Sequence, residues 1–193
     1  MTENEVYEFY NDSVKVIYSE IEALNNSLPI ELLFEINSAF DHLKRIHVEK
    51  SPEEKESEKA YSHLKRGCLD AYKLKLKYFN VNVSKILNEK ADLRIIDNGK
   101  YLVEFISERN QIYSFAKEAR LSEAKKNSEE AFEKWNKVSD SINNFESKFF
   151  NPTKINWAKK QSFFRFSGSF IVGILTGIIA SFIFTFLTKI IKF

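Results

Sequence analysis

Between Arg165 and Lys189 the chain carries 23 consecutive uncharged residues, FSGSFIVGILTGIIASFIFTFLT. As an α-helix such a run is about 34 Å long, enough to cross a hydrocarbon core of about 30 Å. Thirteen of the 23 are Phe, Ile, Leu or Val. Each of these favours insertion by about 0.3–0.6 kcal/mol near the bilayer centre, which outweighs the small residues among them. The cores of soluble proteins rarely present so long an uncharged run, so a transmembrane helix over 166–188 is expected. The rest of the chain then has to fold as a soluble domain ahead of a single span.

Charge divides the chain at the same place. Residues 151–193 hold six basic side chains (Lys154, Lys159, Lys160, Arg165, Lys189, Lys192) and no acid. The first 150 residues hold 23 basic and 27 acidic side chains, a net of −4. A domain of that sign lacks the basic patch that phosphate recognition requires, so there is no strong nucleic-acid signal. Four cations precede the span and two follow it, which orients the N-terminal domain to the cytoplasm. Segment 151–165 is a basic juxtamembrane stretch, with Trp157, Phe163 and Phe164 at interfacial depth and Lys159 and Lys160 able to snorkel; 189–193 is a short basic tail. The acidic start MTENEVYEFYND has no apolar run and is not expected to be a signal peptide. The lone Cys68 cannot form an internal disulfide. These features describe a tail-anchored, single-pass membrane protein whose first partner is the bilayer.

Within the span Ser169, Gly173, Gly177, Ser181 and Thr185 recur every four residues. Gly173-x-x-x-Gly177 lets two backbones approach closely in lipid, where packing and weak polar bonds drive association. A homo-oligomer is expected, and in a larger assembly the same Ser/Thr face could line a narrow pore.

The soluble part reads as all-α, a bundle over 1–150 with long hairpin helices. Five glycines and three prolines leave little punctuation for β turns. Tyr10, Val14, Ile17, Ile21 and Leu24 mark a helix over about 3–26. Pro29 and Glu31 open a second helix, running to about Val48 with Leu32, Ile36, Ala39, Leu43 and Ile46 on its apolar side. Ser51-Pro52-Glu53-Glu54 reads as a capping box opening a third, to about Leu87, with Leu69, Tyr72, Leu76, Phe79, Val83 and Ile86 on its stripe. Asp97-Asn98-Gly99 is a break, either a β-hairpin turn or the restart of a fourth helix; the helical context favours the restart. From Leu121 a seven-residue repeat runs through Ala124, Ser128, Ala131, Trp135, Val138, Ile142, Phe145 and Phe149. It suits either the core edge of the bundle or a coiled-coil segment over 121–149 joining two protomers.

The motif His-Leu-Lys-Arg occurs twice, at His42–Arg45 and His63–Arg66. Glu31, Glu35, Ser38, His42 and Arg45 share one edge of the second helix, and His63, Arg66, Asp70, Lys73 and Lys77 an edge of the third. Closing the hairpin about 50–52 brings Arg66 near Glu35 and His63 near Ser38. Glu35, His42, His63, Arg66 and Asp70 then line a polar groove. Its residues could fix hairpin register, or His42 and His63 could move protons while Arg45 and Arg66 stabilise a phosphorane-like charge. Three histidines (with His47) and no HxxxH or HExxH spacing make a poor metal-ligand set, so no metal or other cofactor is expected.

The stretches LPIELLFEINSAFDHLKRIH and KAYSHLKRGCLDAYK, within about 28–77, resemble helical bacterial proteins with a HEPN-like bundle, some of them linked to phage defence. In general plan the chain is similar to membrane-anchored HEPN-like accessory proteins of RNA-targeting CRISPR systems. HEPN ribonucleases usually carry Arg, then four to six residues, then His. Here Arg45-Ile46-His47 is too close and His63-x-x-Arg66 is reversed. The resemblance therefore implies the fold and carries over no catalytic residue. The expected protein is a non-enzymatic membrane effector, pore-forming or signalling component. The alternatives are a tethered ribonuclease using His42, Arg45, His63 and Arg66, or a passive membrane adaptor for a soluble partner.

Overall fold

The computed structural model describes residues 1–89 and 91–191, without the side chains of residues 25, 166 and 189–191. Lys192, and the side chain of Lys189, both part of the expected basic tail, lie outside the described residues. Among the described residues there is no strand, and the fold is all-α.

The first expected helix is one rod with a π turn in it: α1 (Glu3–Phe9), a π segment (Tyr10–Val14) and α2 (Lys15–Asn25). The apolar spacing accounts for the insertion. Val6, Tyr10 and Val14 advance by fours, and in a pure α-helix each such step drifts about 40° off the stripe. The wider π turn takes that drift back, and Val6, Val14, Ile17 and Ile21 are all buried. Leu24, expected on the same face, is exposed, because α2 stops one residue later. Asn26 terminates it in the left-handed region at φ 48°.

Helix α3 (Ile30–Val48) and helix α4 (Glu53–Asn88) form the expected antiparallel hairpin. Leu32, Ala39 and Leu43 of α3 are buried, and Leu64, Cys68, Tyr72, Leu76, Phe79 and Val83 form a continuous buried stripe along α4, all in one hydrophobic core. The capping box expected at Ser51 does not form. Pro52 holds the cap position without a side-chain cap, and Ser51, biased to extended backbone by the following proline, precedes it by one residue. Glu53, Glu54 and Glu56 supply the negative charge that the helix start favours.

After α4 a short 3-10 turn (Leu93–Gly99) ends in three consecutive positive φ angles, 47° at Asp97, 54° at Asn98 and 89° at Gly99. Asp, Asn and Gly are the residues that tolerate this region, so the chain reverses and restarts as α5 (Lys100–Ala124).

The heptad reading is corrected at its start. A turn at 125–127 separates α5 from α6 (Ser128–Phe149). Asn127 accepts a bond from the Glu130 N–H, a local N-cap that ends the run of the repeat. Leu121, Ala124 and Ser128 are consequently exposed. Ala131, Trp135, Val138, Ile142, Phe145 and Phe149 are buried inside the same bundle. Phe145 packs on Phe79 of α4 and Phe105 of α5 at centroid distances of 5.0 and 4.9 Å. The seam is thus filled by the chain's own helices, and the coiled-coil segment expected over 121–149 is not what it forms.

Asn151 caps α7 (Pro152–Ile191), a single uninterrupted helix. Its first three turns lie against the 3-10 turn, burying Ile155 and Ala158. Between Phe163 and Leu187 the large apolar side chains that the structure describes are exposed.

Candidate functional site

The two HLKR motifs meet across α3 and α4, and what joins them is a wider repeat. Glu35 precedes His42 by seven residues, and Glu56 precedes His63 by seven. Each helix therefore carries Glu-x6-His-Leu-Lys-Arg. Because the helices run antiparallel, each motif grips the glutamate of the other. His63 Nδ1 lies 2.7 Å from Glu35 Oε2, while Arg66 donates through Nε and Nη2 to both oxygens of Glu35 at 2.7 and 2.9 Å. His42 Nδ1 lies 2.6 Å from Glu56 Oε2, with Arg45 Nη1 3.9 Å from the same oxygen. At the centre the two imidazoles stack, centroids 5.2 Å apart at 29°.

The two clasps differ at one position. Three residues after Glu56 stands Lys59, whose Nζ takes Glu56 Oε1 at 2.8 Å and leaves Arg45 at the margin. Three residues after Glu35 stands Ser38, whose hydroxyl donates back to the Phe34 carbonyl at 3.0 Å. Ser38 thus leaves Glu35 open to Arg66, and it is Glu35 rather than Ser38 that His63 meets. Gly67 permits the approach: a Cβ there would lie 2.7 Å from Leu32 Cδ1 and 3.0 Å from Glu35 Cβ.

Electrostatics follow the contacts. Lys59 first and His42 second hold the Glu56 carboxyl down to about 2, although its side chain is buried. Burial works against ionised Glu35, but the bonds from Arg66 and His63 outweigh it and keep its carboxyl below the usual range. Glu35 in turn raises Arg66. The third histidine follows the same rule, His47 Nε2 lying 2.9 Å from Glu3 Oε2 of α1 and lowering that carboxyl.

The groove expected from the sequence is therefore assembled in part. Glu35, His42, His63 and Arg66 converge, and Arg45 reaches their edge. Asp70 does not join them; it pairs with Lys73 at 3.2 Å, and Lys73 also holds Glu123 of α5 at 2.8 Å. Glu56 is the member that sequence reasoning missed, and its seven-residue offset from His63, matching that of Glu35 from His42, is the signal that marks it. Chemically, a carboxylate that fixes an imidazole through Nδ1 leaves Nε2 to act as acid or base. The same bonds also lock register, since a one-turn slip of α3 on α4 breaks both clasps at once. Among the described residues no group of three or more His, Cys, Asp or Glu is placed to hold a metal ion.

The second candidate lies on α7. One helix, 152–188, is long and apolar enough to cross a membrane. Ser169, Gly173, Gly177, Ser181 and Thr185 are all exposed on it, and a Cβ added at Gly173 or Gly177 would meet nothing within 4 Å. Residues four apart drift by about 40° per step, so the stripe is a ridge inclined across the helix. Such ridges favour right-handed crossings near −40°. Thr185 donates to the Ser181 carbonyl at 2.8 Å, which satisfies its hydroxyl within the helix. At the other end Ser162 accepts the Asp92 N–H at 2.8 Å and donates to the Ala158 carbonyl, and Lys159 pairs with Glu89 at 3.5 Å. No family model, curated protein or solved structure matches the chain.

Proposed function

We propose that this chain is a membrane effector or signalling component, anchored through α7, whose anchor self-associates and couples the helical bundle to the bilayer. The observation that carries this reading is the continuity of α7: its first three turns are docked in the bundle and it runs unbroken into the apolar segment. A passive tether needs only a flexible linker. A helix fixed at one end transmits rotation or displacement of the bundle to whatever it crosses. The small-residue ridge supports association between anchors, and the excess of basic residues before the segment supports a cytoplasmic bundle. The bundle then receives a soluble protein or a signal, and clustering of the anchors, or a pore lined by their Ser/Thr face, is the output. The HEPN-like resemblance over 28–77 supports antiviral defence as the setting. Dye release from liposomes loaded with the full-length protein tests this reading. Release that disappears in Gly173→Ile/Gly177→Ile is expected. Tight liposomes with the wild type, together with full function when an unrelated membrane helix replaces α7, favour a passive adaptor.

A membrane-tethered ribonuclease is the second reading, supported by the convergence of His42, His63, Arg66 and the edge of Arg45 around two glutamates. It predicts RNA cleavage that His63→Ala removes without altering the oligomer. Intact RNA with the wild-type protein rejects it.

A further inference from the structure

The dock of α7 fixes how close the bundle stands to the bilayer. Ile155, Ala158 and Ser162 fall on one stripe of the helix; the first two are buried, and the third accepts the Asp92 N–H at 2.8 Å. Phe166, the first residue of the uncharged run, follows Ser162 by four positions, a rise of about 6 Å. Each polar layer of a bilayer is about 5–8 Å thick. Once α7 spans the membrane, as proposed above, the unbroken helix holds the turn around Asp92 at headgroup depth. The bundle is then seated on the lipid surface and has no stalk.

The charges at this end are unevenly matched. Glu89 pairs with Lys159 at 3.5 Å and Asp97 with Lys154 at 3.4 Å. Asp92 accepts from Arg94 Nε and Nη2 at 2.7 and 3.1 Å. Each of these acids thus has its own cation. Lys160 and Arg165, which make no ion pair among the described residues, are left over. Arg165 continues the docked stripe by one more turn, towards Asp92. Arg94 first, and the charge of Arg165 with it, hold the Asp92 carboxyl below its usual range. Two guanidinium groups therefore flank one carboxylate. Arg94 is exposed, and its Nη1 makes no bond.

We propose that the α7 dock is a binding surface for an anionic phospholipid, whose headgroup phosphate is taken between Arg94 and Arg165. A planar guanidinium presents paired N–H donors to two phosphate oxygens, which a diffuse positive charge does not. Anionic lipids of the cytoplasmic leaflet attract juxtamembrane cations in general. Arg94 adds specificity to that attraction: it belongs to the bundle, so one lipid ties the domain as well as the anchor to the membrane surface.

Native mass spectrometry of the full-length protein in detergent, titrated separately with phosphatidylglycerol and phosphatidylcholine, counts the lipids bound per chain. Phosphatidylglycerol is expected to bind more tightly. Arg94→Gln and Arg165→Gln should each weaken it about fivefold, the factor for one basic residue near an anionic surface. Lys44→Gln alters an exposed cation of α3 at the other end of the bundle and should change nothing. In vesicles, adding phosphatidylglycerol to phosphatidylcholine should slow hydrogen exchange over 92–99, and Arg94→Gln should remove the difference. Circular dichroism confirms that these surface variants keep their helix content. Equal binding of the two lipids, or a preference that both arginine substitutions leave intact, overturns the proposal. Alkaline carbonate extraction of the same vesicles separates this failure from that of the anchor. Protein released into the wash rejects the spanning helix and this site with it, whereas retained protein without lipid preference rejects the lipid site alone.

Discussion

Gly→Ala within a helix ordinarily stabilises by about 1 kcal/mol, because alanine gives up less backbone freedom on folding. Gly67 is predicted to reverse that sign. The new Cβ would lie 2.7 Å from Leu32 Cδ1 and 3.0 Å from Glu35 Cβ, where carbon atoms rest at about 3.5–4.0 Å. Leu32 is buried in the core and cannot swing clear, and Glu35 Cβ is fixed to the α3 backbone. The helices must part by roughly half an ångström to one ångström, an overpacking cost of about 1–3 kcal/mol. Against the helix-propensity gain, Gly67→Ala should lose about 1 kcal/mol, a fall in Tm of about 2–4 °C for a chain of this size. Parting the helices also lengthens the Glu35 contacts to His63 and Arg66, so the two histidine resonances should shift together. Thermal unfolding in detergent with tryptophan fluorescence, alongside proton NMR of the imidazoles, reads both effects. A rise in Tm refutes the close crossing and, with it, the reason given for the reach of Glu35.

Two further predictions follow from the polar contacts and the dock. Glu3, Glu35 and Glu56 are all held below their ordinary 4.5. A carboxyl whose folded pKa is depressed adds stability above its unfolded value and loses it as pH falls through the folded one. Unfolding midpoints should therefore decline from about pH 4.5 towards 2, and Glu56→Gln should flatten that decline; a wild-type curve that stays level across this window contradicts the pairing. Ala158→Asp places a charge in the buried face of α7 against the 3-10 turn, so hydrogen exchange should accelerate over 91–99 and 152–162 while the α3–α4 hairpin stays protected. Unchanged exchange in those segments means that α7 is not held by this contact.

How far the chain could be read depended on the range of the forces involved. The uncharged run, the stripes of α3 and α4, and the Asp-Asn-Gly break are local patterns, and each appears where its residues place it. The π turn over Tyr10–Val14 was invisible because its apolar spacing fits an α-helix nearly as well. The heptads misled at 121–128 because Asn127 carries a stronger local signal, a cap for Glu130, than the hydrophobic repeat that crosses it. Glu35 and Arg66 could be paired by folding a hairpin on paper, yet Glu56 escaped because it lies in the first turn of α4, among residues that read as solvated charge.

The central claim is self-association of the anchor, and single-molecule photobleaching of fluorescently labelled full-length protein in liposomes counts copies directly. A discrete copy number above one is expected for the wild type, falling to one in Gly173→Ile/Gly177→Ile while both proteins remain inserted. Single bleaching steps in the wild type, or an assembly that the double substitution leaves intact, would contradict it.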